Sequence, residues 1–277
     1  MSIDAARVSS DAAPLLELRN VSKTFRSAAR ETVRAVRGAS LALRRGETLA
    51  LVGESGSGKS TLGRIALGLI EPDGGEVLLE GRPFASFSSR AFREARTAMQ
   101  PIFQDATASL NPRRTVRRLM AQALHRRAGD PDAQAAALLD SVGLRPGVEY
   151  LDRYPHELSG GQRQRLAIAR ALAPEPALVV ADEPLSGADV SIRGQVLNLL
   201  LDIQEARGIA YLMITHDISI ARAFADRVAV MLRGEIVETG PVDEVLVEPR
   251  HAYTRRLLAA VPELDAPAAP PSRSASA

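Results

Sequence analysis

The chain has 277 residues, of which 45% are apolar and 25% charged, as is ordinary for a soluble globular protein of one or two domains. It contains no cysteine, which excludes disulfides, thiolate zinc sites and cysteine-ligated iron–sulfur clusters. The 35 basic and 33 acidic side chains leave a formal net charge of +2, which argues against a nucleic-acid-binding protein that works through a large basic face.

The two ends of the chain differ in composition from the part between them. Residues 1–14 and 265–277 are small, polar and rich in Ala, Pro and Ser, so we expect both to be disordered. The N-terminus lacks the pattern of a signal peptide, and no apolar run approaches the ~18–20 residues of a membrane span. We therefore expect a soluble protein that reaches a membrane only through partners.

Apolar runs and alternating patterns predict an α/β fold. Strands are predicted at residues 15–25, 47–53, 177–183 and 210–216. The last two are short apolar runs followed by helical segments, as is typical of buried parallel strands. A helix is predicted from Lys59 to Leu69, and residues 227–240 predict a hairpin around a central Gly. Residues from about 105 to 157 contain Arg-rich helical patterns at 113–127 and 132–142, which predict an inserted helical subdomain.

The segment GESGSGKS fits G-x-x-x-x-G-K-[ST] and stands between a predicted buried strand and a predicted helix. Its glycines allow successive backbone N–H groups to point at one anion at the helix N-terminus. Lys59 would place a compact charge on the β and γ phosphates of a nucleotide, and the Ser60 hydroxyl can bind Mg²⁺. The residues expected to contact the nucleotide here are Gly53, Glu54, Ser55, Gly56, Ser57, Gly58, Lys59, Ser60 and Thr61.

Only two of the 35 basic side chains are lysines, Lys23 and Lys59. Because arginine is used almost everywhere else in this chain, a position that keeps lysine is a candidate for a specific role. Arg is bulkier and planar, and it does not fit a narrow phosphate slot equally well. This supports Lys59 as a functional residue, whereas the sequence offers no reason for Lys23.

Two further motifs fit nucleotide chemistry. Asp182 and Glu183 end a predicted buried strand, where Asp182 would bind Mg²⁺ and Glu183 would act as general base on the attacking water. The alternative is an acidic turn that only meets solvent. The segment LSGGQ places Ser159, Gly160, Gly161 and Gln162 at a helix start, which forms a second anion-binding helix terminus. Because one sheet has one nucleotide site, this terminus is expected to contact the nucleotide of a second subunit; the alternative is a Ser N-cap with flexible glycines.

With these motifs in this order, residues 15–262 resemble the ATP-binding cassette (ABC) ATPase family. The resemblance implies a P-loop NTPase fold with a RecA-like core, an antiparallel β subdomain and an inserted helical subdomain. It further implies that Phe25 stacks on adenine, Gln104 lies near Mg²⁺ and the transmembrane partner, Asp189 crosses the dimer interface, and His216 approaches the γ phosphate. Catalytic roles would fall to Lys59, Gln104, Glu183 and His216, and Mg²⁺ would be held by Ser60, Gln104 and Asp182.

A narrower resemblance links two segments to the ATP-binding subunits of peptide and nickel importers. These are FQDATASLNPRRTV at 103–116 and VDEVLVEPRHAYTRRLLAAVP at 242–262. The chain departs from that pattern with Ala106 and Ala252 in place of proline, and with SGAD at 186–189 in place of SALD, a change expected to alter the fine tuning of dimer contact. The implied domains are an ABC ATPase domain at 15–240 and a C-terminal helical extension at 241–264.

The resemblance implies a subunit that binds and hydrolyses ATP to power an importer for peptides, nickel or a related small solute. Its expected partners are a second ABC ATPase subunit, identical or different, membrane permease subunits, and indirectly a solute-binding protein. The permease subunits are expected to dock near Gln104 and the stretch from Arg113 to Arg118; the alternative for that stretch is a solvated helix face. The expected location is the cytoplasmic face of the inner membrane, as a peripheral protein. The alternative is a soluble ABC ATPase of an enzyme assembly, as in carbon–phosphorus lyase complexes; a DNA-repair or ribosome-linked ABC ATPase fits less well, because its paired cassettes and coiled-coil insertions are missing.

Overall fold

The computed structural model describes residues 13–26, 32–86, 88–103, 109–185 and 190–260. Most of the two predicted disordered ends therefore lies outside the described residues. So do Gln104, Ala106 and the SGAD segment with Asp189. Among the described helices, none has both the length and the apolar composition that a membrane span requires.

The elements alternate between strands and helices along the chain. The strands are β1 (Leu16–Arg26), β2 (Thr32–Leu43), β3 (Thr48–Val52), β4 (Gly74–Leu79), β5 (Arg82–Pro83), β6 (Met99–Phe103), β7 (Leu178–Asp182), β8 (Ala210–Thr215), β9 (Arg227–Leu232) and β10 (Glu235–Pro241). The helices are α1 (Lys59–Ala66), α2 (Ser89–Thr97), α3 (Val116–Ala123), α4 (Pro131–Ser141), α5 (Gly160–Leu172), α6 (Val190–Arg207), α7 (Ile218–Phe224), α8 (Val242–Val247) and α9 (Ala252–Ala259). The four strand predictions and the hairpin at 227–240 are confirmed.

The larger sheet has the strand order β10-β9-β3-β8-β7-β6, and its strands run parallel except β10, which is antiparallel to β9. Strand β3 is buried along its whole length, because both faces of the sheet are covered. Leu49 and Leu51 belong to one core cluster, whereas Ala50 and Val52 belong to another. The carboxyl ends of β3, β7 and β8 meet at one edge of this sheet, where α/β proteins bind their ligands.

The smaller sheet has the order β2-β1-β4-β5 and is antiparallel throughout. It shares a core cluster with Leu49 and Leu51 of β3 and with Leu62 and Ile65 of α1. The two sheets and the helices reproduce the α/β class and the antiparallel β subdomain that the resemblance implied. Strand β2 and helix α2 were not predicted from the sequence. The buried positions of β2 do not alternate regularly along the strand, whereas the apolar residues of α2 do follow a helical period.

Helix α1 is shorter than predicted, ending at Ala66 rather than Leu69. Gly68 adopts a φ of 62° just beyond it, which ends the helical conformation. Within the helix, Gly63 lies so close to the sheet that a Cβ there would come within 2.4 Å of Ile214 Cδ1. The helix therefore packs directly on β8, which fixes the position of its N-terminus.

The helical subdomain is present, with one prediction to correct. The helix predicted at 113–127 covers only Val116–Ala123. Asn111 accepts hydrogen bonds from the backbone N–H groups of Arg113, through its side chain at 3.0 Å, and of Arg114, through its carbonyl at 3.1 Å. This turn holds residues 111–114 outside the helix. Helix α4 matches its prediction closely and begins at Asp130, whose side chain accepts from the Asp132 N–H.

Residues after β10 form two short helices, α8 and α9, that pack on the face of the large sheet that carries Ala50 and Val52. Glu238 of β10 fixes this segment. Its carboxylate accepts hydrogen bonds from the backbone N–H groups of Arg250 at 2.7 Å and His251 at 3.1 Å, and from the Thr254 hydroxyl. Burial raises the pKa of Glu238, but these hydrogen bonds outweigh burial and hold it below its ordinary value.

Candidate functional site

Three strand ends bring the predicted site residues together. The loop after β3 leads into α1, Asp182 ends β7 and is followed by Glu183, and His216 follows β8. The Ser60 hydroxyl donates to Asp182 Oδ1 at 3.0 Å, and His216 Nδ1 lies 3.1 Å from Glu183 Oε1. These two contacts join the acidic strand end to the phosphate loop on one side and to His216 on the other.

The loop between β3 and α1 depends on glycine at two close approaches. Gly58 precedes α1 with a φ of 108°, and a Cβ at this position would lie 2.1 Å from the carbonyl oxygen of Ala35. A Cβ at Gly53 would lie 2.2 Å from the carbonyl oxygen of Met231. No side chain among the described residues caps the N-terminus of α1, so its first N–H groups are available to an anion.

Gly58→Ala is expected to lower the free energy of unfolding by more than Gly56→Ala does. Both positions have positive φ, which costs a non-glycine residue about 1–2 kcal/mol. At Gly56, however, no non-neighbouring atom of the described residues lies within 4 Å of the added Cβ, whereas at Gly58 a backbone oxygen must move. Urea unfolding of the two variants measures the difference, and equal losses of stability would contradict this account of the loop.

Lys59 is held inside the loop. Its side-chain ammonium donates to the carbonyl oxygens of Gly53 and Glu54, at 2.7 Å each, and the residue is only 5% exposed. Burial lowers the pKa of Lys59, while the nearby carboxylates of Glu183, Asp182 and Glu54 act in the opposite direction. The lysine is thus a buried cation that backbone oxygens orient toward the mouth of the loop.

The acidic strand end offers ligands for a cation. Burial raises the pKa of Asp182, and the hydrogen bond from Ser60 and the positive charges of Arg64 and Lys59 oppose that rise. A hydroxyl and a partly buried carboxylate in contact are hard oxygen ligands of the kind that Mg²⁺ prefers. Glu183 has a φ of 48°, and its N–H donates to the carbonyl of Ile214 at 2.9 Å. The sheet therefore holds the backbone of Glu183 in place.

A cleft of about 380 Å³ opens in front of the loop. Its lining residues are Val33, Arg34, Ala35, Arg37, Ser55, Gly56, Gly58, Lys59, Ser60, Thr61, Glu183, Arg233 and Gly234. Three arginines and one lysine face a single acidic residue there, so the cleft suits a polyphosphate. Sequence reasoning missed Arg34, Arg37 and Arg233, because a chain so rich in arginine gives no signal that distinguishes them.

Phe25 lies at the margin of this cleft. It is 41% exposed and pairs across the small sheet with Val33, which lines the cleft and is 58% exposed. Lys23, which the sequence left unexplained, donates to Asp73 Oδ1 at 2.7 Å, and its ammonium lies 5.9 Å from the centroid of the Phe25 ring. The structure thus gives this second lysine a role in fixing the region around the exposed aromatic ring.

The LSGGQ segment begins α5. The Ser159 hydroxyl accepts from the N–H of Gln162 at 3.2 Å, and the Gln162 side chain accepts from the N–H of Ser159 at 2.9 Å. This is a capping box, so the Ser N-cap that the sequence left as an alternative is present. Ser159 and Gly160 are exposed, and within the described part of the chain residues 159–162 do not line the cleft.

Two predicted site residues, Gln104 and Asp189, lie outside the described residues. The structure therefore brings together Lys59, Ser60 and the acidic strand end with His216, and it places Phe25 at their margin. It leaves the LSGGQ segment apart from them.

Two family descriptions match the chain. Residues 36–186 match "ABC transporter", and residues 237–276 match "Oligopeptide/dipeptide transporter, C-terminal region". The solved "Dimeric Structure of MJ0796, a Bacterial ABC Transporter Cassette" superposes with a TM-score of 0.73 at 29% identity, and the match covers 82% of this chain and 98% of that one. A "post-hydrolysis state" of the same cassette, "bound to ADP and Pi", also gives a TM-score of 0.73.

Two curated relatives have a higher sequence identity to the chain than this solved structure has. Over 256 residues the chain is 47% identical to the oligopeptide transport ATP-binding protein OppF of Streptococcus mutans. This match covers 91% of this chain and 82% of that protein. Over 263 residues it is 49% identical to the glutathione import ATP-binding protein GsiA of Salmonella paratyphi A, which covers 91% of this chain but 42% of that protein. The chain thus spans less than half the length of GsiA. On these matches, the chain belongs to the ABC transporter family, as one of its ATP-binding and ATP-hydrolysing subunits.

Proposed function

We propose that this subunit powers an importer for peptides or a related small solute. The observation that carries the proposal is that one chain joins the ATP-binding cleft to a segment, 237–276, that matches the C-terminal region of oligopeptide and dipeptide transporters. The named relatives are transport subunits for oligopeptides and for glutathione, which favours import over service to a soluble enzyme assembly.

In this proposal, the phosphates of ATP bind in the loop from Gly53 to Thr61. Backbone N–H groups at the start of α1 contact the phosphate oxygens, and Lys59 adds its charge to the β and γ phosphates. Ser60 and Asp182 would hold Mg²⁺, with Gln104 as a further ligand, and the ion would supply positive charge beside the phosphates. Phe25 stacks on the adenine at the margin of the cleft.

Glu183 is the proposed general base for hydrolysis. Its carboxylate accepts a proton from water as the water oxygen bonds to the γ phosphorus and the bond to the leaving ADP oxygen breaks. His216, 3.1 Å from Glu183, orients this carboxylate and approaches the γ phosphate. The support is geometric, because both groups extend from the sheet edge beside Lys59 and Ser60.

The working unit in this proposal is a dimer of cassettes, identical or different. Ser159, Gly160, Gly161 and Gln162 of each subunit contact the nucleotide of the other, and Asp189 lies at the interface between them. The exposure of Ser159 and its separation from the cleft of its own chain support this arrangement. The dimeric cassette to which the chain is similar supports it as well.

Membrane partners complete the proposal. The subunit would lie at the cytoplasmic face of the inner membrane and contact permease subunits near Gln104 and the exposed arginines Arg113, Arg114 and Arg118. A solute-binding protein would deliver the cargo to the permease. The cargo is bound by these partners, so its class follows from the relatives rather than from the cleft described here.

Purification of the chain from its native membranes tests the importer proposal. We expect polytopic membrane proteins to copurify with it and the complex to hydrolyse ATP. Recovery from the soluble fraction, with enzymes of an assembly and without membrane proteins, would overturn the importer proposal in favour of the enzyme-assembly alternative. ATP hydrolysis by itself does not distinguish the two, so the identity of the copurifying proteins decides.

A further inference from the structure

Tyr253 connects the C-terminal region to the phosphate loop. It lies in α9, is 2% exposed, and belongs to the core cluster that contains Ala50 and Val52 of β3. Its hydroxyl accepts a hydrogen bond of 3.0 Å from the backbone N–H of Glu54, the second residue after that strand. A residue 199 positions away in the sequence thus contacts the backbone of the loop directly.

The backbone of Glu54 takes part in several hydrogen bonds of the phosphate loop. Its carbonyl oxygen accepts from the ammonium of Lys59 at 2.7 Å and from the N–H of Ser57 at 3.2 Å. The residue whose N–H is bound by Tyr253 is therefore also one of the two that orient Lys59. A shift of the Glu54 backbone would displace the acceptor on which the lysine rests.

The helix that carries Tyr253 is itself fixed. Glu238 accepts from the N–H groups of Arg250 and His251 and from the hydroxyl of Thr254, so β10 holds the start of α9 in place. His251 Nδ1 also accepts from the N–H of Tyr253 at 3.1 Å. The hydrogen bonds at the start of the helix thus hold the backbone of Tyr253, and burial against β3 holds its ring.

We propose that Tyr253 is a positioning residue that sets the conformation of the phosphate loop through the Glu54 N–H, making the C-terminal region part of the ATP-binding unit. This inference rests on the proposed binding of ATP in the loop. Tyr253 does not touch the nucleotide; it acts on affinity by keeping Glu54, and with it Lys59, in the arrangement that receives the phosphates.

Tyr253→Phe in the full 277-residue chain tests the inference, because it removes the hydroxyl and keeps the ring that packs on β3. We expect the dissociation constant for ATP to rise about three- to tenfold, the range that corresponds to the net value of one hydrogen bond. We expect kcat at saturating ATP to change less than about twofold, since the groups at the γ phosphate are untouched. The Glu54 amide is expected to exchange its hydrogen about tenfold faster or more.

Tyr211→Phe is the matched control. Tyr211 is also fully buried, and its hydroxyl has no hydrogen-bond partner among the described residues. It pairs with Thr48, at the end of β3 that lies away from the phosphate loop. Its removal is expected to leave both ATP affinity and Glu54 exchange unchanged. Thermal melting of both variants measures any loss of stability separately.

The outcomes separate the inference from the proposed function. If Tyr253→Phe binds ATP like the wild type, with unchanged exchange at Glu54, Tyr253 is only a core residue and the inference is wrong. An equal rise in the dissociation constant for Tyr211→Phe would overturn it too. If the wild-type chain does not bind ATP, the proposed function fails at the same time, whereas Glu54 exchange still reports whether Tyr253 holds the loop.

Discussion

Glu183→Gln is expected to lower kcat for ATP hydrolysis by about 10²- to 10⁴-fold, the usual contribution of a general base. Glutamine keeps the shape of the side chain and the contact with His216, but it cannot accept the proton of the attacking water. The loop and Lys59 are unaffected, so ATP binding remains. With hydrolysis blocked, we expect the closed dimer to accumulate in the presence of ATP. Phosphate release and size-exclusion chromatography with ATP measure the two effects.

The control for this substitution is Glu94→Gln. Glu94 lies on α2, where it is exposed and pairs with Arg90 at 3.1 Å, and it is not one of the residues that line the cleft. The same chemical change there is expected to leave kcat unchanged. A Glu183→Gln variant that turns over at the wild-type rate would show that another group takes the proton.

Lys59→Arg is expected to lower ATP affinity by about ten- to a hundredfold, since forcing a larger side chain into a filled slot costs about 1–3 kcal/mol. The ammonium rests 2.7 Å from two carbonyl oxygens in a nearly closed loop. A planar guanidinium cannot make the same two contacts and still leave room for phosphate oxygens. Titration calorimetry with ATP measures the loss.

Lys23→Arg is the natural comparison, because Lys23 and Lys59 are the two lysines of the chain. Lys23 lies at the surface of the small sheet, and its partner Asp73 can accept from a guanidinium as well. We expect this variant to bind ATP within about twofold of the wild type. If both substitutions weakened binding alike, the narrow slot around Lys59 would not be the cause.

The parts of the site that the sequence predicted are those encoded in short, contiguous motifs. The loop, the acidic strand end and the LSGGQ helix start each depend on backbone geometry and burial within a few residues. The contact of Ser60 with Asp182 followed from the parallel arrangement of β3 and β7 in one sheet. The fold class and the family were confirmed for the same reason, since the order of motifs reflects the order of elements.

The parts that the sequence did not predict depend on register and distant packing. Arg34 and Arg37 line the cleft because β2 pairs with β1 in a register that periodicity could not reveal. Arg233 lines it from the β9–β10 hairpin turn, where the carbonyl of Gly234 accepts from the Arg37 N–H at 2.8 Å. No local pattern marks Tyr253, and only the tertiary structure shows its hydrogen bond with Glu54. The start of α3 was misplaced because the turn at Asn111 competes locally with helix formation.

The two-sided burial of β3 has a consequence for how the chain folds. Leu49 and Leu51 are covered by residues close in sequence, from the small sheet and α1, whereas Ala50 and Val52 share their cluster with residues of α8 and α9. During synthesis, about 190 further residues must therefore emerge before the face with Ala50 and Val52 can be fully covered. Such a large separation in sequence slows the pairing of distant segments. The strand that ends in the phosphate loop is thus among the earliest to be made and among the last to be fully covered.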